Sequence, residues 1–540
     1  MAPLVFVMAA CVQLFYLLTL PVSLSIDSYS YIGFASNLLN SQPYLVRTPG
    51  YPALVALTAL PWSGTALPLI ALQVVMAASI PVLFYLAVRD AGRTAGLIAA
   101  GLAIVFPYPY TMSLQVMSEI AYLFGCVASM ALLATCLKRQ SMPLLLLTVA
   151  AIAITAEARP SANLLYAALL FALGVRYVMS RNRRTLTHFA VATALALGIV
   201  VGRGAMTERN SSNIAPFIVW HWMSTCQLPD GQSCVSVDNG PATRALFDTV
   251  RGMLVARRDV YESLASSRDI RGGTTGIRPA FRDFSPQSVD RLVMDLQTNT
   301  RENSHRGGMT VLALWSHLGM SQTGSLMRPV LLETIRAHPV VLGGIAERFV
   351  RALFIEKNVV SMDEGLYVLH DGVYWYFVPH DLDERNLLET FPGGANLYAQ
   401  WISALERRTG TDMAAKQLYG RVPESWPEAL AAWREHGNRS AVALYAGSRI
   451  ARAVVILACL GSILLLPFAL RSPQWLFALT SWLTFWGLIA TSFFSQHHYR
   501  QILLHAHGLF FVVAIGGGEL LRALARLRHR DSAETEPLHP

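Results

Sequence analysis

Ten long apolar runs constrain this chain more than any other feature. They cover residues 4–24, 66–88, 95–113, 117–137, 142–158, 160–179 and 187–206, then 451–470, 473–493 and 502–521. A bilayer core takes about 20 apolar residues as helix. Lipid offers no hydrogen-bond partner to the backbone, so such runs must satisfy themselves as helices. The spacing therefore predicts an α-helical polytopic membrane protein. Composition agrees: 53% of the 540 residues are hydrophobic and 14% are charged, against about 25% charged in an average soluble domain. The first run lacks a basic leader and a small-residue cleavage site, and reads as a retained helix.

The net charge of +9 would fit a nucleic-acid binder, but the positions of the basic residues argue against it. With the N-terminus in the cytoplasm, the inner loops and flanks hold Arg89, Arg93, Lys138, Arg139, Arg176, Arg181, Arg183, Arg184 and Arg471. The tail adds Arg522, Arg526, Arg528 and Arg530. The short outer loops hold only Arg47, Arg159 and Arg500. Thirteen against three is the positive-inside bias of a membrane protein, and no nucleic-acid partner is needed to explain it. Both termini are then cytoplasmic. The domains read as an N-terminal transmembrane module over 1–206, with a first outer loop at 25–52; an outer soluble domain over 207–450; C-terminal transmembrane helices over 451–521; and a cytoplasmic tail over 522–540.

The outer segment is mainly helical in pattern. "SVDRLVMDLQTNTREN" has helical spacing, and "PVLLETIRAHPVVLGGIAERFVRALFIEK" is apolar at a spacing that suits a helix along the membrane surface. "GLYVLHDGVYWYFVP" reads as a hairpin turning at Asp371-Gly372. Cys226 and Cys234 lie close together in this polar segment and could pair if it faces an oxidising compartment. No cysteine spacing matches a metal site.

The acids of the first module repeat the asymmetry. Residues 1–206 contain only Asp27, Asp90, Glu119 and Glu157. Asp90 sits among inner arginines, and the other three fall at outer ends of spans. Ionisable groups at such depth are costly and commonly functional. Arginine holds phosphate through a forked pair of hydrogen bonds, and a carboxylate can take the proton of an attacking hydroxyl. Plainer roles stand beside these. Asp27 also suits the cap of a short helix lying on the bilayer surface, with Tyr31, Phe34, Ala35, Leu38 and Leu39 as its apolar stripe; capping and catalysis are compatible. Arg47 suits an interfacial anchor among Tyr44 and Tyr51. Pro49, Gly50 and Pro52 predict irregular backbone before the next span. Glu119 suits a helix start, and Glu157 and Arg159 could pair with each other. The late stretch "SFFSQHHYRQILLHAHG" carries His497, His498, His505 and His507. A divalent metal is one reading of these histidines, but without a converging third ligand no metal and no cofactor is the expectation. His498, Tyr499 and Arg500 read instead as a hydrogen-bonding, phosphate-holding patch.

"DSYSYIGFASNLL…RTPGYPALVAL", "FPYPYTMSLQVMSEIAYLFG", "AEARPSANLL", "TERNSSNIAPF" and "HHYRQILLHAHGLF" occur in that order. In this the chain resembles the GT-C membrane glycosyltransferases, in particular the branch of lipid-A aminoarabinose transferase and the protein O-mannosyltransferases. The match covers about the first 215 and last 70 residues. It implies a GT-C-like bundle of about ten helices with a large, mainly helical periplasmic domain, in a bacterial inner membrane. It also implies a polyprenyl-phosphate sugar donor, whose sugar passes to a hydroxyl of a glycolipid, glycan or protein acceptor. On that resemblance Asp27 is the base and Glu119 a second catalytic acid. Arg47, Arg159, Arg500, Tyr499 and His498 lie near the donor phosphate, and Tyr29, Tyr31, Tyr51 and Glu157 line the acceptor cavity. Two departures stand out: His498 occupies a position where arginine is usual, and Ser28 follows Asp27 where a second acid is common. A transporter or flippase of lipid-linked sugars is the alternative; it would place ionisable groups near the midplane among inverted repeats, whereas here they lie at span ends and no repeat is visible. The Cys226–Cys234 pairing predicts that neither thiol is alkylated in the folded protein until a reductant is added.

Overall fold

The computed structural model describes residues 1–19, 31, 34–35, 48–58, 67–206, 218–219, 222–223, 226, 228, 233–265, 281–297, 310–311, 313–314, 317–354, 425–436, 439–496 and 499–534. Among these, regular structure is helical apart from isolated bridges. The contacts divide the chain into two units, the first of residues 1–199, 352–490 and 498–540, the second of 200–351 and 491–497. The hairpin expected around Asp371-Gly372 lies outside the described residues.

The first unit begins with α1 (Ala2–Thr19), a short α2 (Gly50–Thr58), α3 (Leu67–Val88), α4 (Arg93–Val105) and a single turn, α5 (Tyr108–Met112). It continues with α6 (Glu119–Arg139), α7 (Met142–Ala158), α8 (Leu164–Ser180) and α9 (Arg183–Met206), whose last residues pass into the second unit. Among the described residues, six helices are long and apolar enough to cross a membrane by length and composition, and Arg93–Val105, Met142–Ala158 and Trp475–Thr491 are shorter apolar helices. Many apolar side chains on these helices point outward: Leu4, Val7 and Leu18 on α1, Ile154 on α7 and Val201 on α9 are more than half exposed. A surface of this kind is disfavoured in water and suits lipid. The protein is an integral, multi-pass membrane protein.

Two expected spans are interrupted. The run 95–113 stops at Val105, because Phe106 is extended (φ −76°, ψ 115°) before Pro107, the conformation that a following proline favours. The run 502–521 is split as well. The chain forms α18 (Tyr499–Ala506), turns at His507-Gly508 and resumes as α19 (Leu509–Glu534).

In the second unit α10 (Pro241–Ala256), α11 (Arg258–Ala265) and α12 (Pro286–Asp295) are followed by α13 (Met320–Ala337) and α14 (Val340–Phe354), the last reaching into residues of the first unit. The long apolar pattern near residue 340 thus becomes two helices broken at His338-Pro339. Cys226 and Cys234 form a disulfide with a Cα–Cα distance of 5.5 Å, as their spacing suggested. After α15 (Trp426–His436), α16 runs from Arg439 to Ala469, and α17 from Trp475 to Gln496. The α16 helix starts twelve residues before the expected span, and its apolar part is Tyr445–Ala469. It packs on α19, with Gly516 so close to the Leu465 backbone that a side chain there would collide; small residues permit this kind of approach between membrane helices.

Within the second unit, Glu333 on α13 caps α10. It accepts hydrogen bonds from the backbone N–H groups of Ala242 (2.9 Å) and Thr243 (2.7 Å) and from the Thr243 hydroxyl (2.8 Å). Desolvation works against this carboxylate, but those bonds and Arg244 outweigh it and hold its pKa below the usual value of 4.5. The stabilisation is then complete above pH 4.5 and lost as the pH falls through the lower folded value. Glu333→Ala should destabilise the second unit by about 1–3 kcal/mol at neutral pH, read by thermal unfolding of the purified protein. Glu333→Gln should flatten the acid limb of its stability profile.

Candidate functional site

The first unit carries opposite charge patterns at the two ends of α6. At the C-terminal end Lys138 pairs with Asp90 at 2.8 Å, with both groups well exposed. At the N-terminal end, about 30 Å away at 1.5 Å per residue, Glu119 is fully buried and meets Arg159 at 2.6 Å. Arg159 follows the last residue of α7 and is extended (φ −151°, ψ 129°), and its side chain is 15% exposed. Its Nε lies 3.4 Å from the Ser118 hydroxyl, and its guanidinium sits 5.8 Å from the centre of the Tyr122 ring. The Tyr122 hydroxyl accepts a hydrogen bond from Ser161 at 3.1 Å.

Burying a charge pair is expensive, and taking away one partner leaves an uncompensated ion. Such a pair in an apolar bundle needs fixed surroundings, which the chain supplies from several directions. Every residue from 106 to 120 is buried, although outside α5 and the first residues of α6 this stretch is not regular helix. Backbone of that kind is tolerated at membrane depth when it is enclosed by protein. Ser118 shares a 2.7 Å hydrogen bond with the Tyr31 hydroxyl. The Tyr31 ring meets Tyr51 edge-on at 4.9 Å, and the Tyr51 hydroxyl donates to Gln73 Oε1 at 2.6 Å. Gln73 Nε2 donates to the carbonyls of Ser113 (2.9 Å) and Gln115 (2.7 Å). Ser113 donates in turn to Gln13 Oε1 on α1 at 3.2 Å.

Of the residues proposed from sequence, the structure brings Glu119, Arg159, Tyr31 and Tyr51 into one connected cluster. Asp27, Tyr29, Arg47 and His498 lie outside the described residues. Tyr499 and Arg500 occupy the first turn of α18. Three expectations change. Arg159 pairs with Glu119 rather than with Glu157, since residues two apart at a helix end do not face each other. The backbone is irregular only as far as a bend at Pro49: α2 starts at Gly50, and proline is well suited to a first helical turn. The apolar stripe meant for the bilayer surface is buried at Tyr31, Phe34 and Ala35, so this face packs on protein. Glu157 contributes backbone contact. A Cβ on Gly50 would lie 2.6 Å from the Glu157 carbonyl carbon, and Thr48 donates to the Ala158 carbonyl at 3.2 Å.

Ser118, Tyr122, Ser161 and Gln73 escaped the sequence reading. Tyr122 had a signal, being three residues after Glu119 on the same helical face. Gln73 had another, as the only carboxamide in its apolar run. His505 packs edge-on against Tyr122 at 5.6 Å, and His507 against Phe106 at 4.4 Å. Among the described residues no group of three or more His, Cys, Asp or Glu is arranged to hold a metal ion.

No protein-family model and no curated protein matches this chain. Among solved structures, it is similar to the apo oligosaccharyltransferase of Archaeoglobus fulgidus, with 12% identity and a TM-score of 0.42 over 100% of this chain and 52% of that one. It is also similar to the oligosaccharyltransferase AglB from Archaeoglobus fulgidus in complex with an inhibitory peptide and a dolichol-phosphate, with 11% identity and a TM-score of 0.40 over the same shares. The chain spans about half the length of these proteins, and neither likeness is close enough to assign a site residue.

The ion pair gives a direct test of its energetics. Arg159→Met alone should destabilise the first unit by about 3–5 kcal/mol, whereas Arg159→Met with Glu119→Gln should recover most of that loss. Thermal unfolding of the detergent-solubilised variants measures both.

Proposed function

We propose that the protein is a membrane glycosyltransferase of GT-C type. It moves a sugar from a polyprenyl-phosphate donor to a hydroxyl of a lipid, glycan or protein at the outer face of a bacterial inner membrane. The observation that carries this reading is the buried Glu119–Arg159 pair at the end of the bundle from which basic residues are otherwise depleted. Topology alone gives no reason for an arginine there, and a fixed guanidinium suits a lipid phosphate. The Cys226–Cys234 disulfide supports an oxidising compartment for the segment after α9. Counted through the spans, that is the side on which Asp27, Arg47 and Arg159 fall.

In this mechanism the acceptor hydroxyl attacks the anomeric carbon while the bond from that carbon to the phosphate oxygen breaks. The hydroxyl proton passes to Asp27, and the electron pair leaves with the polyprenyl phosphate. Arg159, with Arg47 and Arg500, stabilises the charge that grows on the leaving phosphate. Glu119 holds the guanidinium in place, and Tyr29, Tyr31 and Tyr51 shape the acceptor side. Tyr499 and His498 complete the phosphate patch. The outer domain selects the acceptor.

The test supplies a panel of undecaprenyl-phosphate hexoses and pentoses to the protein in proteoliposomes, with envelope extract as acceptor. Release of free undecaprenyl phosphate is the readout. Wild type should release it from one of the donors, and Asp27→Asn should lower kcat by about 100- to 10,000-fold. Arg159→Ala should weaken donor binding more than acceptor binding. Full activity of Asp27→Asn would remove it as the base, and no release from any donor would overturn the reading.

A further inference from the structure

Gln73 stands apart from the ion pair yet touches both arms of the site. It is fully buried on α3, and its amide makes the three hydrogen bonds already given, one accepted and two donated. The accepted bond fixes Tyr51 on α2. Tyr51 in turn braces Tyr31, whose hydroxyl holds Ser118. The two donated bonds fix the carbonyls of Ser113 and Gln115, in the same buried stretch that leads to Ser118 and Glu119. One side chain therefore clamps the backbone that delivers Glu119 and the aromatic pair that reaches Ser118 from the other side. No apolar residue of this size can do both, and the carbonyls of a buried non-helical stretch need such donors.

We propose that Gln73 is a positioning residue for this site: it sets where Ser118 and Glu119 stand, and so where Arg159 points. The proposal rests on the glycosyltransferase reading for its kinetic consequence and on geometry for the rest. Misplacing a phosphate-holding charge by a fraction of an ångström penalises the transition state more than ground-state binding. Loss of Gln73 should then appear in kcat more than in KM.

The full-length protein in proteoliposomes, assayed by undecaprenyl phosphate release, tests this. Gln73→Met keeps the side chain's length and removes all three bonds. The expected result is a kcat about 10- to 100-fold lower, with donor KM within about threefold of wild type. Tyr51→Phe breaks one bond and should cost less. The double variant should be no slower than Gln73→Met, because the two changes remove the same bond. Additive losses, a wild-type kcat in Gln73→Met, or a defect confined to KM would overturn the proposal. Should Gln73→Met fail to fold, Tyr51→Phe and Gln73→Asn carry the same comparison. If wild type releases no undecaprenyl phosphate from any donor, the functional reading fails separately. Amide hydrogen exchange then decides the positioning claim. Faster exchange over residues 113–119 in the Gln73 variant supports it, and unchanged exchange overturns it.

Discussion

The contact between Glu119 and Arg159 sets conditions that much of the first unit then meets. A carboxylate with no exposure inside an apolar bundle costs several kcal/mol to desolvate, and a partner at 2.6 Å repays that only if neighbouring groups hold the geometry. Arg159 can reach Glu119 because α7 ends at Ala158 and the chain turns extended at the next residue. Glu119 can receive it because α6 begins there, after a buried stretch that is largely not regular helix. The pair thus depends on two helix ends meeting at one level, and the Tyr122 ring and Ser118 hydroxyl both contact the guanidinium.

Those helix ends in turn depend on unpaired backbone being answered inside the protein. The break at Phe106-Pro107 removes the regular bonds of a continuous span, and every residue from 106 to 120 is nonetheless buried. Short backbone turns recover part of the loss, as in the bonds from Tyr110 and Thr111 to the Pro107 carbonyl. Gln73 recovers more from the interior of an apolar helix, and Gln13 on α1 reaches the Tyr110 carbonyl at 3.5 Å and accepts from the Ser113 hydroxyl. A carboxamide in a membrane helix is costly when unsatisfied, so these two are informative as a set. They bind together α1, α3 and the stretch that carries Ser118, and they make its irregularity affordable.

Much of the helical framework was legible in the sequence because the bilayer permits so few solutions. Runs of about 20 apolar residues had to become helices, and the asymmetric arginines marked which ends belonged together. The interruptions were harder. Pro107 was visible, but an apolar run that breaks in its final third reads much like one that does not. The split at His507-Gly508 depends on packing, with Phe485 against Gly508 too closely for any side chain, and such contact between distant segments leaves no local mark. At the site, Glu119 and Arg159 were found through their scarcity as charges. Their pairing with each other was missed because Glu157 is the nearer acid in sequence. Ser118, Ser161 and Gln73 are uncharged, and a lone serine or glutamine in an apolar run does not reveal which backbone it will meet.

The two ends of α6 show how the same residue types serve different purposes in one membrane protein. Lys138 and Asp90 lie in the open, where solvent weakens their attraction and topology alone accounts for the lysine. Glu119 and Arg159 are drawn into protein, where the same chemistry is strong, costly and directional. On the topology proposed above, insertion favours leaving basic charge on the inner side, and Arg159 stands against that bias. An arginine kept only for stability would be an inefficient choice, since apolar residues of similar volume could fill the space without desolvating two ions. In the function proposed above, the carboxylate that aims it and the tyrosine ring beneath it serve an anionic group met at that level of the membrane.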